Sequence, residues 1–192
     1  MIQKETLEEK ILEAYESLNF KPRGNQPEIC FKVLDAFLND GKQNVVLNAG
    51  PGVGKSIIAA VVSTVINDCT SIEGLSSIIS MGQNSLAKQY AESFSDLGDY
   101  KFFQIKGASN YPCRFMECQP SAVSKTAEEC VKGNLLEVEQ DRYCRSCEFD
   151  KAKKKVNVTA NLITNYKYFF IAQLASGHLS ERKLHVMDEA HT

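Results

Sequence analysis

Residues Ala49–Ser56 read AGPGVGKS, a glycine-rich turn between a short apolar run, NVVLNA at 44–49, and an apolar helical run, IIAAVVSTVI at 57–66. A strand, a Gly-rich turn and a helix in that order predict the start of a parallel α/β unit. The turn fits the phosphate-loop pattern, with Ala49 where the pattern has its first glycine. Gly50, Gly52 and Gly54, interleaved with Pro51 and Val53, let successive backbone N–H groups curl round phosphate oxygens. The helix that follows points its positive end at the same anion. Lys55 is placed to reach the terminal phosphates of ATP, and the Ser56 hydroxyl to ligate Mg²⁺.

Upstream, TLEEKILEAYESL puts Leu7, Ile11, Ala14, Tyr15 and Leu18 at helical spacing, with Thr6 and Glu9 as an expected capping box. Asn25 is the expected cap of a second helix, QPEICFKVLDAFL, with Glu28 at its third position and Gly41 beyond its end. Downstream, LSSIIS reads as a buried strand and QNSLAKQYAESF as a helix, and ANLITN and KLHVMD supply two more strands. The last of these runs into LHVMDEAH, Leu184–His191. A phosphate loop needs an acid to hold its metal. Asp188 is expected to contact Mg²⁺, mostly through water, and Glu189 to activate the attacking water. These two motifs together predict a nucleoside triphosphatase.

The chain has 192 residues, 43% hydrophobic and 24% charged, which suits one domain with an insertion. The net charge of −2 excludes a global basic field, so any nucleic-acid site must be a local patch. The N-terminal MIQKETLEEK lacks the apolar core of a secretory signal, and no apolar run reaches the length of a membrane span. An intracellular location is expected, where thiols stay reduced and clustered cysteines point to metal or catalysis. Helical and strand periodicity fail between 103 and 150, which holds five of the seven cysteines. That divides the chain into a first part of an ATP-binding domain at 1–102, a cysteine-rich insertion at 103–150, and a return to the ATP-binding domain at 151–192. Cys144 and Cys147, in YCRSCEF, form a C-x-x-C pair. Four thiolates suit zinc as well as a [4Fe–4S] cluster, so ligand chemistry alone leaves both open.

The chain resembles the first motor domain of the iron–sulfur DNA helicases, the DinG/XPD type. The resemblance is carried, in order, by FKPRGNQ, AGPGVGKS, SIISMGQNSLAKQY, KGASNYPC, CEFDKAKKK, ANLITNYKYFF and DEAH. It implies a RecA-like P-loop NTPase domain, an α/β fold with a parallel sheet, interrupted by a small iron–sulfur insertion. Gln26, with Arg23 nearby, is implied at the adenine base, and SIISMGQNSLAKQY at the DNA backbone. The motifs that open and close the cluster segment nominate Cys113 and Cys147. Cys144 shares a turn with Cys147, and Cys130 lies at a family-like distance from Cys113. The implied [4Fe–4S] set is therefore Cys113, Cys130, Cys144 and Cys147, with Cys118 the alternative to Cys130. Ala108 departs from the family's usual arginine.

The resemblance further implies an ATP-dependent helicase moving 5′→3′ on single-stranded or forked DNA. Lys151, Lys153 and Lys154 directly follow the last cysteine and, with Tyr166, are expected to face nucleic acid. The chain reaches Thr192 just after DEAH, so a C-terminal motor domain, in a longer chain or a separate one, is the expected partner. A domain of this extent is expected to be inactive in unwinding alone. The alternative reading is a zinc-stabilised nucleic-acid-binding module with a vestigial or regulatory ATP site. Protein purified without oxygen separates the two: brown protein with about four irons per chain is expected for the cluster, and colourless protein with stoichiometric zinc for the alternative.

Overall fold

The computed structural model describes residues 2–69, 77–97, 101–113, 126–127, 147–176, 179 and 182–188. Their elements are α1 (Lys4–Ser17), α2 (Gln26–Leu38), α3 (Lys55–Cys69), β1 (Ser77–Met81), α4 (Asn84–Ser93), β2 (Phe102–Gln104), α5 (Glu148–Val156), β3 (Asn161–Asn165), α6 (Tyr166–Ser176) and β4 (Leu184–Asp188). The four strands form one all-parallel sheet in the order β2-β3-β1-β4. The α/β class with a parallel sheet is therefore observed.

Parallel sheets require cover on both faces, and their central strands read as continuous apolar runs. All five residues of β1 are buried. Alternate side chains divide between two cores. Ile79, Met81 and Ile163 pack with α1, α2, α3 and α4, whereas Ile78 and Leu162 pack with Ile105, Ala152 and Val156 of α5, and Tyr168 and Ala172 of α6. α3 is apolar nearly all round, with Ile58 through Ser63 buried, as suits a helix inserted between the sheet and α1–α2.

Two expectations from the sequence are corrected. Residues 44–49 form no strand, and Val46 is 92% exposed. A strand has no stability without a ladder partner, and among the described strands none pairs with this run. The capping box at Thr6 and Glu9 is not formed. α1 starts two residues earlier, at Lys4, with Gln3 at the cap position. A tertiary tie sets that start: Ile2 N–H donates to Asn39 Oδ1 (2.6 Å) and Asn39 Nδ2 donates to the Ile2 carbonyl (3.0 Å). Asn25 does occupy the cap position of α2, but without a side-chain cap bond, and Gly41 follows the helix at φ +65°. The sheet includes Phe103 and Gln104, which pair with Leu162 and Ile163, and α5 begins at Glu148.

Arg182 holds the end of the sheet opposite the strand C-termini. Its guanidinium donates to the carbonyls of Ser77 (3.0 Å), Ala160 (3.0 Å) and Val156 (2.6 Å). Burial pushes its pKa down to about 10. The charge also sits at the C-terminus of α5, where the helix dipole favours a cation. Replacing Arg182 with Met removes a charged donor from all three carbonyls, although that of Ala160 keeps the Ser77 N–H (3.2 Å), and a buried acceptor that loses its donor costs about 1–3 kcal/mol, partly relieved by water. Urea unfolding of Arg182→Met is expected to show a loss of about 2 kcal/mol; an unchanged midpoint would remove Arg182 as a structural clamp.

Candidate functional site

In a parallel sheet all strands point their C-termini to one edge. Here Met81 pairs with Asn165 on one side and Asp188 on the other, so the ends of β1, β3 and β4 form a single row. The first turn of α3 comes to the same edge. Ser56 and Asp188 line one cleft of about 320 Å³, together with Phe20, Met81, Gln89 and Tyr90. The two residues expected to share Mg²⁺ are thus brought together from positions far apart in the chain.

The glycine-rich turn leads into α3 with Gly52 at φ +81° and Gly54 at φ +85°, a region that L side chains rarely adopt. A Cβ on Gly54 would also run into Gln26 Nε2. Gln26 is 4% exposed, and its amide braces the turn: Nε2 donates to the Val53 carbonyl (2.7 Å), and Oε1 accepts from the Arg23 N–H (3.0 Å). The two bonds use one of the two hydrogens on Nε2 and one of the two lone pairs on Oε1. Arg23 itself is exposed. Lys55 Nζ donates to the Ala49 carbonyl (3.2 Å), so the ammonium folds back across the turn toward the position of the missing first glycine. Gly50 and Pro51 are exposed and Val53 partly so. The donor set suits a phosphate ligand: free backbone geometry at two glycines, a lysine laid over the turn and a helix N-terminus behind it.

Two tyrosines hold the main chain at the cleft's Ser56 and Asp188, and of the two Tyr90 lines the cleft. Tyr90, from α4, donates its hydroxyl to the Ser56 carbonyl. It is buried, and burial with the nearby Asp188 carboxylate pushes its pKa up. Tyr166 donates its hydroxyl to the Asp188 carbonyl (2.5 Å). The neighbouring Asn165 caps α6, accepting the Tyr168 N–H (2.7 Å), while its Nδ2 donates to Asn84 Oδ1 at the start of α4. The sequence reading passed over Tyr90, Asn84 and Asn165. Tyr90 lies three residues after the buried Ala87 and reads as core; only its phenolic oxygen, which a buried tyrosine must satisfy, hinted at more.

Of the nominated cysteines, Cys113 is buried and Cys147 half-buried, and both are free thiols. Cys147 is the residue before the first turn of α5. The chain on either side of them converges, because the rings of Tyr111 and Phe149 pack 5.3 Å apart. Cys118, Cys130, Cys144 and Glu189 lie outside the described residues, and among the described residues no group of three metal-ligating side chains occurs.

The lysine run is divided. Lys153 pairs with Asp150 (2.7 Å) and lies over the Phe149 ring, while Lys155 lies over Phe103. Lys151 and Lys154 are exposed on α5. Arg182 fixes the last turn of this helix at the sheet edge opposite Asp188, so the run extends away from the cleft. Its placement also complements the helix dipole, with Glu148 and Asp150 in the first turn and Lys153, Lys154 and Lys155 in the last.

Compared with known families and curated proteins, the chain matches no family model and no curated sequence. Among the described residues no helix is long and apolar enough to cross a membrane.

The brace on the turn has a measurable consequence. Gly54→Ala combines a left-handed φ with a collision at Gln26, and is expected to cost about 1–3 kcal/mol in thermal or urea unfolding. Gly50→Ala, where a Cβ meets nothing within 4 Å and φ is ordinary, is expected to cost clearly less. Equal losses would contradict the brace.

Proposed function

We propose that this chain is the ATP-binding part of an ATP-dependent DNA helicase, a RecA-like domain carrying a cysteine-rich [4Fe–4S] insertion. The observation that carries the reading is the shared cleft of Ser56 and Asp188 at the C-terminal edge of a parallel sheet, with the glycine turn and Lys55 beside it. Open α/β sheets bind their ligands at that edge. The ATP-hydrolase assignment follows from the residue types gathered there.

Backbone N–H groups around Gly52 and Gly54 hold the phosphates, and Lys55 exchanges the Ala49 carbonyl for a phosphate oxygen. Ser56 would hold Mg²⁺ directly and Asp188 mostly through water; the ion, when bound, would neutralise charge on the phosphates. Glu189 accepts the proton of the attacking water, one residue beyond the carboxylate that holds the metal. Gln26 and Arg23 flank the nucleotide from the far side of the turn.

Cys113 and Cys147 fit a cluster in chemistry and placement, as free thiols at the two ends of a segment closed by Tyr111 and Phe149. With Cys144 and Cys130 (or Cys118) they would hold four irons, which supply a crosslink to a segment without helical or strand periodicity. Lys151 and Lys154, projecting from the helix that leaves this site, are the residues for the DNA backbone; Lys153 contributes once released from Asp150.

Binding of a fluorescent ATP analogue tests the nucleotide half of the reading. Lys55→Ala is expected to weaken binding at least tenfold, while an unchanged affinity would refute the phosphate assignment. For the DNA half, Lys151→Ala with Lys154→Ala is expected to lower single-strand affinity and flatten its dependence on salt by about one unit of slope per lost phosphate contact. An unaltered slope would make the run a solvated helix face.

A further inference from the structure

Ser56 and Asp188, the two proposed magnesium ligands, share a feature that their motifs do not contain. Each has its own main-chain carbonyl held by a tyrosine hydroxyl, Ser56 by Tyr90 and Asp188 by Tyr166. The tyrosines come from different helices, α4 and α6, and those helices are tied at their starts by the Asn165–Asn84 bond. We propose that Tyr90 and Tyr166 are positioning residues for the divalent cation, a pair of clamps that fix the backbones of its two protein ligands across the cleft. The proposal rests on the nucleotide reading above and extends it to residues outside both motifs.

Three physical points support it. First, a magnesium ion demands near-octahedral geometry with short bonds, so its ligands must be held to within a few tenths of an ångström. Ser56 lies in the first turn of α3, where N–H groups lack intrahelical partners, and Asp188 is the last residue of β4, which has a paired neighbour on one side only among the described residues; in each case a bond from another helix adds to what the element itself supplies. Second, each clamp acts on the carbonyl of the ligand residue itself. The Tyr166 bond therefore fixes the carbonyl of Asp188 at the last residue of β4. Third, the two clamps have different surroundings. Tyr90 is locked by Phe94, 5.1 Å between ring centroids, within an aromatic cluster that includes Phe20. Tyr166 is half-buried, beside Asn165 and against the Phe170 ring. One residue is thus held from the core and the other from a half-buried position outside it.

Outer hydrogen bonds of this kind typically change metal affinity by about 10–100-fold. The test is titration of the 192-residue chain with a non-hydrolysable ATP analogue, once with Mg²⁺ and once with EDTA, for the parent, Tyr90→Phe, Tyr166→Phe and Lys55→Ala. Phenylalanine keeps the ring and removes only the donor. The expected result is that the gain in affinity that Mg²⁺ confers, taken for each variant against its own affinity in EDTA, falls about tenfold in both Phe variants. Lys55→Ala loses affinity in both conditions. A gain from Mg²⁺ that is the same in the parent and in Tyr166→Phe overturns the proposal and leaves the nucleotide reading standing. A parent that binds no nucleotide, or a Lys55→Ala that binds like the parent, overturns the nucleotide reading and this proposal with it. Thermal unfolding of each variant accompanies the titration. If Tyr90→Phe unfolds, Tyr166→Phe decides, since its side chain is half-buried and belongs to neither apolar core.

Discussion

The arrangement depends on the register of β1 between β3 and β4. Parallel pairing puts Ser77 level with both Asn161 and Leu184, and four residues later Met81 level with Asn165 and Asp188. Because side chains alternate, this register also sends Ile79 and Ile163 to one core and Ile78 and Leu162 to the other. A slip of one residue would exchange the faces of a strand and bring apolar groups against the wrong helices. The burial of both faces therefore locks the row of strand ends at which the cleft forms. The position of Asp188 relative to Ser56 is a consequence of hydrophobic packing far from either residue.

Polar groups finish what the packing begins, and they do so at both edges. At the strand N-termini Arg182 gathers three carbonyls from β1, the β3 approach and α5. Inside the sheet, Ser77 Oγ donates to Asn161 Oδ1 and Thr164 Oγ1 to the Ile105 carbonyl. At the C-terminal edge the donors are side chains of Gln26, Tyr90, Asn165 and Tyr166. Buried polar groups without partners are costly, so each bond is specific about where its element sits. The C-terminal set differs from the rest in that nearly every bond ends on a carbonyl or amide within one residue of the glycine turn, the α4 start or the end of β4. The same bonds that satisfy buried groups also shape the cleft.

Much of the fold was legible in the sequence. Long periodic segments became helices, and the runs around Ile78, Leu162 and Val186 became strands, because continuous apolar residues bounded by turns suit a sheet covered on both faces. The failures share a cause. NVVLNA has the composition of a strand, yet a strand exists only through its neighbours, and among the described residues it has none. The Thr6 cap was overridden by a bond between Ile2 and Asn39, 37 residues apart. β2 is three residues long, too short to show a period, and forms because β3 offers an edge. In the lysine run after Cys147, helix spacing alone brings Lys153 to Asp150 and Phe149, whereas only packing of α5 on the sheet brings Lys155 over Phe103.

By itself the sequence determined the chemistry available: a glycine-rich turn with Lys55 and Ser56, an acid at the end of an apolar strand, and clustered cysteines ahead of a basic helix. These are local properties, written in residue type and short spacing. Only the tertiary structure decided which of them meet. Ser56 and Asp188 share a cleft because parallel strands end at a common edge, and Gln26 serves the glycine turn because α2 packs beside α3. Tyr90 and Tyr166 acquired their place in the same way: a phenolic hydroxyl has no direction in a sequence, and finds its acceptor only when the helix that carries it is packed against the sheet.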